Sequence, residues 1–209
     1  MRRRPLLIAV DGPAASGKGT IARALAAHYG LPHLDTGLLY RAVGLGVAHA
    51  GGDVADPAAA ARVAQALPDP LPDDPDLRSE RASALASIAS AHAQVRDLLL
   101  ARQRAFAVRP EGAVIDGRDI GTVIAPDAVA KLFVTASAAE RARRRWRELG
   151  GDYDAILAAI VERDERDSGR AAAPLRQAAD AALLDTTDMA IDMAVRRALE
   201  LVEARIAGA

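Results

Sequence analysis

The apolar run LLIAV, residues 6–10, passes through the loop GPAASGKGT, residues 12–20, into the helical stretch IARALAAHYG. A run that is continuous rather than alternating suits a strand buried on both faces, as in parallel sheets covered by helices. Further runs of this kind are AVID (113–116) and KLFVTA (131–136), with weaker ones at PHL (32–34) and ALLD (182–185). Helical patterns lie between and after them, over 18–29, 37–50, 79–106, 138–149, 154–168 and 188–206. Ser137 and Glu140 have capping-box spacing just after the KLFVTA run. Alternating strands and helices joined by right-handed crossovers imply an α/β fold with a doubly wound parallel sheet.

Two segments leave this rhythm. Residues 53–80 start with the Ala-rich DPAAAARVAQAL and continue into PDPLPDDPD, whose prolines argue against helix and central strand. Residues 150–180 are densely charged, with ERDERDSGR (162–170) inside a helical pattern. Both are expected to be excursions from one core, so that residues 1–209 form a single domain, a size that can bury a substantial interior.

The loop has a chemical meaning. Gly12-x-x-x-x-Gly17-Lys18 is the spacing of a phosphate-binding loop, in which backbone N–H groups and a helix N-terminus face an anion. Lys18 adds a mobile charge for β/γ-phosphates. Lys18 and Lys131 are the only lysines among 27 basic residues, so a lysine here is a specific choice. Lys131, which opens the KLFVTA run, reads as an edge residue snorkelling to solvent. Gly19 stands where such loops usually carry Ser or Thr, and the hydroxyl follows at Thr20. Either Thr20 supports Mg²⁺ one position on, or the ion would be held largely through water, which its reluctance to dehydrate permits. The GKGT ending suits nucleoside monophosphate kinases better than switch GTPases, and no Asn/Thr-Lys-x-Asp motif for guanine is present.

Three other segments carry candidate chemistry. LDTGLLYR (34–41) sets Thr36, Tyr40 and Arg41 at a helix start, suited to gripping a phosphate. In VIDGRDIGT (114–122), Asp116 ends a strand where an acid near Mg²⁺ is expected. Arg118 and Asp119 follow at the carboxyl edge of the sheet, where open α/β folds bind ligands. Arg163, Asp167 and Arg170 share one helical face, with Arg166 close by. ERARRRWRE (140–148) reads as an exposed amphipathic helix with one arginine near a bound nucleotide. His28, His33, His49 and His92 lack metal-ligand spacing and read as structural or solvent-facing.

Composition narrows the partners. The net charge of −1 provides no overall basic field for nucleic acid or membrane, so an anion site must be local. The lack of cysteine excludes disulfides, thiolate metal sites and a cysteine nucleophile, and suits a reducing cytoplasm. MRRRPLLIAV has the flavour of a secretory signal, but its six-residue apolar run falls short of the roughly 7–15 required. The expectation is a cytoplasmic monomer acting on small molecules, without nucleic-acid or membrane partners.

The ordered set GPAASGKGT, LDTGLLYR, VRDLLLARQRAF, IDGRDIGT, ERDERDSGR with APL, and LLDTT closely resembles the bacterial cytidylate kinases over nearly the whole chain. The resemblance implies a five-stranded P-loop kinase core (1–50, 107–149 and 176–209), an NMP-binding insert at about 51–106 and a helical lid at about 150–175. It implies transfer from ATP, with Mg²⁺, to CMP and dCMP. Gly12, Pro13, Ala14, Ala15, Ser16, Gly17, Lys18, Gly19 and Thr20 would hold ATP, while Thr20 and Asp116 would meet Mg²⁺ through water. Thr36, Tyr40, Arg41, Arg118 and Arg170 would hold the CMP phosphate. Ser87, Arg96 and Asp119 would read cytosine, and Arg163 with Asp167 would meet the ribose. Lys18, Arg118, Arg163 and Arg170 would serve the transfer itself. Thr36 replaces a serine common in that family and keeps its hydroxyl, whereas the segment between Tyr40 and Ser87 is shorter and richer in proline. The competing readings are a P-loop kinase for UMP or shikimate and a nucleotide-dependent switch without transfer.

Overall fold

The computed structural model describes residues 5–208, which divide into two compact units. The first contains the chain up to Leu34 and from Phe106 onward; the second is Asp35–Ala105.

The first unit is built on a five-stranded parallel sheet in the order β2-β3-β1-β4-β5. The strands are β1 (Leu7–Asp11), β2 (His33–Asp35), β3 (Ala113–Gly117), β4 (Ala130–Thr135) and β5 (Ala182–Asp185). All five apolar runs are strands, and β1 is buried along its whole length because it lies between β3 and β4. Ile8 and Val10 face a core made with Val114, Leu132, Val134 and Leu184. Helices α1 (Lys18–Tyr29) and, at the chain's end, α8 (Ile191–Ala207) cover it through Leu25, Ala198 and Val202. Strand order switches about β1, since β2 and β3 lie to one side and β4 and β5 to the other. The register pairs Asp11 with Gly117 and with Phe133, which brings the phosphate-loop entry and the end of β3 to one edge. Helices α6 (Ala138–Leu149) and α7 (Tyr153–Gly169) complete the unit's helical set.

The second unit is helical: α2 (Thr36–His49), α3 (Pro57–Ala66), α4 (Glu80–Ala89) and most of α5 (Ala93–Ala107). Leu39, Val43, Val47, Ala60, Ala86 and Leu99 form its core. The Ala-rich stretch that seemed outside the helical rhythm is α3. Asp56 accepts from the Ala58 N–H at 2.8 Å, and Pro57 takes the first helical position, where no N–H is needed. In the proline-rich stretch, Pro75–Arg78 forms a single 3₁₀ turn on the same principle.

Three expectations need correction. The pattern over 79–106 is two helices. The Ser90 hydroxyl donates to the Ser87 carbonyl at 3.1 Å, and the His92 ring meets the Val54 carbonyl at 2.8 Å, so the chain turns between them. The capping box is half formed: Ser137 accepts from the Glu140 N–H at 3.2 Å, but the Ser137 N–H goes to Thr187 Oγ1 at 2.9 Å. The Glu140 carboxylate binds Arg143 and Arg144 instead.

Lys131 is not an edge residue. Strand β4 is interior, Lys131 is buried, and its Nζ donates to Pro126 O and to both Asp180 oxygens at 2.9 and 2.7 Å. The hydrogen bond from Lys131 holds the Asp180 carboxyl below its ordinary value. Asp180 is exposed and regains water if Lys131 is lost, whereas the buried ammonium left without Asp180 does not. Lys131→Met is therefore expected to change unfolding free energy by less than ~1 kcal/mol, and Asp180→Ala to lower it by about 1–2 kcal/mol. Urea unfolding of the two variants decides; a larger loss in Lys131→Met would make the ion pair a net source of stability.

Candidate active site

The phosphate loop joins β1 to α1 as expected. Gly12 must be glycine, because a Cβ there would overlap the Val134 carbonyl oxygen. Gly17 precedes α1 in the left-handed region at φ 86°, and Ala15 is left-handed too at φ 58°. A non-glycine held in that region is strained, a feature concentrated at functional sites. Lys18 Nζ folds back over the loop to the Pro13 carbonyl at 3.2 Å. The Ser16 hydroxyl is buried without a hydrogen-bond partner, leaving a polar atom within the loop to be satisfied.

Side chains to which the sequence assigned no individual role surround the loop. Arg141 is buried rather than exposed, donating to the carbonyls of Ala136 (2.9 Å) and Ala14 (3.2 Å) and pairing with Asp164 through both terminal nitrogens. Arg144 binds Thr186 and lies 3.9 Å from where a Cβ of Gly17 would sit. Thr186 Oγ1 is in reach of Thr135 O at 3.0 Å and Ser16 O at 3.3 Å. The helix ERARRRWRE thus turns two arginines to the loop, while Trp146 hydrogen-bonds Gly151 O. Its closely spaced arginines give no signal as to which are inward; LLDTT, quoted above, was the trace of Thr186.

Beside the loop, Asp116 Oδ1 contacts His33 Nε2 at 2.7 Å, a pairing that separation of 83 residues hid. Asp116 Oδ2 is 3.8 Å from the Cβ position of Gly19, and Thr20 Oγ1 accepts from Arg23 at 3.3 Å. Among the described residues no group of three or more His, Asp or Glu can hold a metal. One carboxylate and one hydroxyl beside a phosphate loop fit Mg²⁺, which binds through few carboxylates, phosphates and water.

Arg118 donates to Asp167 Oδ2 at 2.8 Å, and Arg170 and Arg163 approach the same carboxylate at 3.2 and 4.0 Å. Arg166 does not join them; it pairs with Glu162 on an exposed part of α7. Arg170 itself lies just past the helix end. Burial opposes ionisation of Asp167, but Arg118, Arg170 and Arg163 outweigh it and hold the carboxyl below its ordinary value. In the second unit, Thr36 is buried at the start of α2, after Asp35, which accepts from Gly37 N at 2.9 Å. Tyr40 lies under the Arg96 guanidinium at 5.9 Å, and Arg41 donates to Leu77 O at 3.0 Å. The buried Ser87 hydroxyl has no hydrogen-bond partner.

The profile of the cytidylate kinase family matches residues 8–204. The chain belongs to the cytidylate kinase family. A cytidylate kinase of Xanthobacter autotrophicus is 57% identical over 208 residues, covering 97% of this chain and 100% of that protein. One of Rhodopseudomonas palustris strain TIE-1 is 54% identical, covering 97% and 98%. Members are nucleoside monophosphate kinases, so the chain is a phosphotransferase with nucleotide substrates. Among solved structures, a gluconokinase from Sinorhizobium meliloti 1021 (TM-score 0.54, 18% identity, 97% of this chain and 94% of that one) shares the fold. So does a protein from Eubacterium ventriosum (TM-score 0.57, 16% identity, 95% and 99%). Among the described residues no helix is long and apolar enough to cross a membrane.

The least anticipated group in the site is Asp11. Its buried carboxylate accepts from the N–H groups of Ile120 (2.8 Å) and Gly121 (2.7 Å). Burial pushes it up to about 7 against those bonds, and the charge of Asp119 adds to the rise. Between about pH 4 and 7 the unfolded chain ionises this group while the folded protein keeps it protonated, so folding weakens as pH rises. A shift from 3.8 to about 7 amounts to roughly 4 kcal/mol, complete above pH 7 and absent below pH 4. The stability of wild type relative to Asp11→Asn is expected to fall by that order across this window. Denaturant unfolding of both proteins at pH 4, 5.5 and 7.5 measures it; parallel profiles would mean that Asp11 ionises normally.

Proposed function

We propose that this protein transfers the γ-phosphoryl group of ATP to the phosphate of CMP and of dCMP, giving CDP or dCDP and ADP. The observation that carries the reading is the gathering of Arg118, Arg163 and Arg170 on one buried carboxylate, beyond the carboxyl end of β3. The acceptor, a phosphate monoester with a second pKa near 6, is mostly dianionic at neutral pH and needs no general base. The obstacle is charge: two like charges ~4 Å apart repel by about 4 kcal/mol at an effective dielectric of 20. Fixed cations, not a proton acceptor, are what such a reaction demands.

Residues 12–20 hold the ATP phosphates, with Lys18 on the oxygens where charge develops. Arg118 and Arg170 hold the acceptor phosphate, the role that the family resemblance also gives to Thr36, Tyr40 and Arg41. Arg163 and Asp167 meet the ribose, with residues 150–175 as a lid. Thr20 and Asp116 would hold Mg²⁺ through water, where the ion would supply positive charge to the phosphates. An acceptor oxygen attacks the γ-phosphorus, and the bond to the β,γ-bridging oxygen breaks to release ADP.

Cytosine is read by Asp119 with Ser87 and Arg96. The orphan hydroxyl of Ser87 supports that assignment, since a base edge would satisfy it. A carboxylate accepts from the N4 amino group of cytosine but repels O4 of uracil.

Lys18→Ala is expected to lower kcat at least ~10²-fold with an unchanged melting temperature. Turnover and thermal melts check it, and a folded variant that keeps most of its turnover removes Lys18 from the chemistry. Asp119→Asn, which offers an amide N–H₂ to O4, is expected to reduce the CMP-over-UMP preference by roughly 1–3 kcal/mol. kcat/KM for both nucleotides in the two proteins is the measurement. Equal losses on both would assign Asp119 to the loop and base reading to another group.

A further inference from the structure

Aspartates cap helical turns throughout this chain, and Asp119 is the exception. Asp35, Asp56, Asp74 and Asp152 each precede a helix or turn, and each accepts from the N–H two residues on, at 2.8–2.9 Å. All four have extended backbones, with ψ between 99° and 117°. Asp119 precedes the turn Ile120–Ile124 with φ −143° and ψ 24°, and its side chain makes no capping bond. The orphan N–H groups of that turn are satisfied by a residue far away in sequence. Ile120 N donates to Asp11 Oδ1 at 2.8 Å, and Gly121 N to Asp11 Oδ2 at 2.7 Å.

We infer that Asp11 is the positioning residue of the base-reading turn: it caps the turn in place of Asp119 and thereby sets the orientation of the Asp119 carboxylate. The anchor is rigid, because Asp11 ends β1 and is locked by backbone pairing to Gly117 on one side and Phe133 on the other. Its burial keeps water from competing for the two bonds. The turn is shaped for this approach. A Cβ at Gly121 would lie 3.3 Å from Asp11 Oδ2 and 3.2 Å from Lys131 Cδ, so a side chain there would press on the anchor by a few tenths of an ångström. Asp11 also precedes Gly12, so its backbone leads into the phosphate loop while its side chain holds the turn that follows Arg118 and Asp119.

The inference rests on the reading of Asp119 as the cytosine-selecting group. Asp11→Asn keeps the size but presents an amide N–H₂ to one of the two N–H donors. The expected result is a fall of about 10-fold in CMP-over-UMP preference, with KM for ATP changed by less than about 2-fold. Asp11→Asn added to Asp119→Asn should bring no further fall, since both act through one group. Gly121→Ala displaces the turn from the opposite side and should reproduce the pattern if Asp11→Asn folds poorly. Amide exchange at Ile120 and Gly121 should quicken about 10-fold in Asp11→Asn, a readout independent of any nucleotide. A lowered preference in Asp119→Asn, with an unchanged one in both Asp11→Asn and Gly121→Ala, overturns the positioning role alone. An unchanged preference in Asp119→Asn overturns the base reading and with it the role given to Asp11.

Discussion

Parallel pairing of β1 with both β3 and β4 is the constraint on which the site of the first unit depends. A strand hydrogen-bonded along both sides and buried on both faces has no freedom at its carboxyl end. Whatever follows it begins from a fixed point. Here that point carries Asp11, then the phosphate loop. The same register aligns Asp116 with Val10, so an acid from another segment stands beside the loop without needing sequence proximity. Strand order reverses about β1, which leaves its carboxyl edge open to a ligand, the general location of sites in such sheets.

Electrostatics follows the same local logic. The chain as a whole is nearly neutral, yet positive charge is concentrated by pairing arginines with a few acids. Asp167 holds Arg118, Arg163 and Arg170, while Asp164 holds Arg141 against the loop carbonyl of Ala14. A buried carboxylate with three guanidinium neighbours is overcompensated, so the cluster keeps net positive charge for an anion while its geometry stays fixed. Asp11 works differently. Its bonds go to backbone N–H groups, which carry only partial charge, so burial prevails and the group resists ionisation. The two acids show that partner type, more than depth, sets the sign of the shift.

The sequence alone determined the sheet, the phosphate loop and the family. Continuous apolar runs between turn residues report burial on both faces, and a glycine-lysine loop reports its own chemistry, because both are local properties. The helix ends at 18–29 and 138–149 were legible for the same reason: Gly17 and Gly30, Ser137 and Gly150 punctuate them. Tertiary structure decided everything that depends on which residues meet. Lys131 reads as an edge residue until β5 is known to lie outside β4. The Ala-rich 79–106 reads as one helix until Val54 is known to take His92. Arg166 and Arg163 share a helical pattern, but only one of them faces Asp167, and Arg141 is buried where helical charge density suggests exposure. Asp11 is the plainest case. As a lone acid between a strand and a glycine it carries no signal, and its role exists only because the fold brings it to N–H groups more than a hundred residues away. Periodicity and spacing encode what a residue does to its neighbours in the chain; its partners in space are set by strand order and register, which no single segment contains.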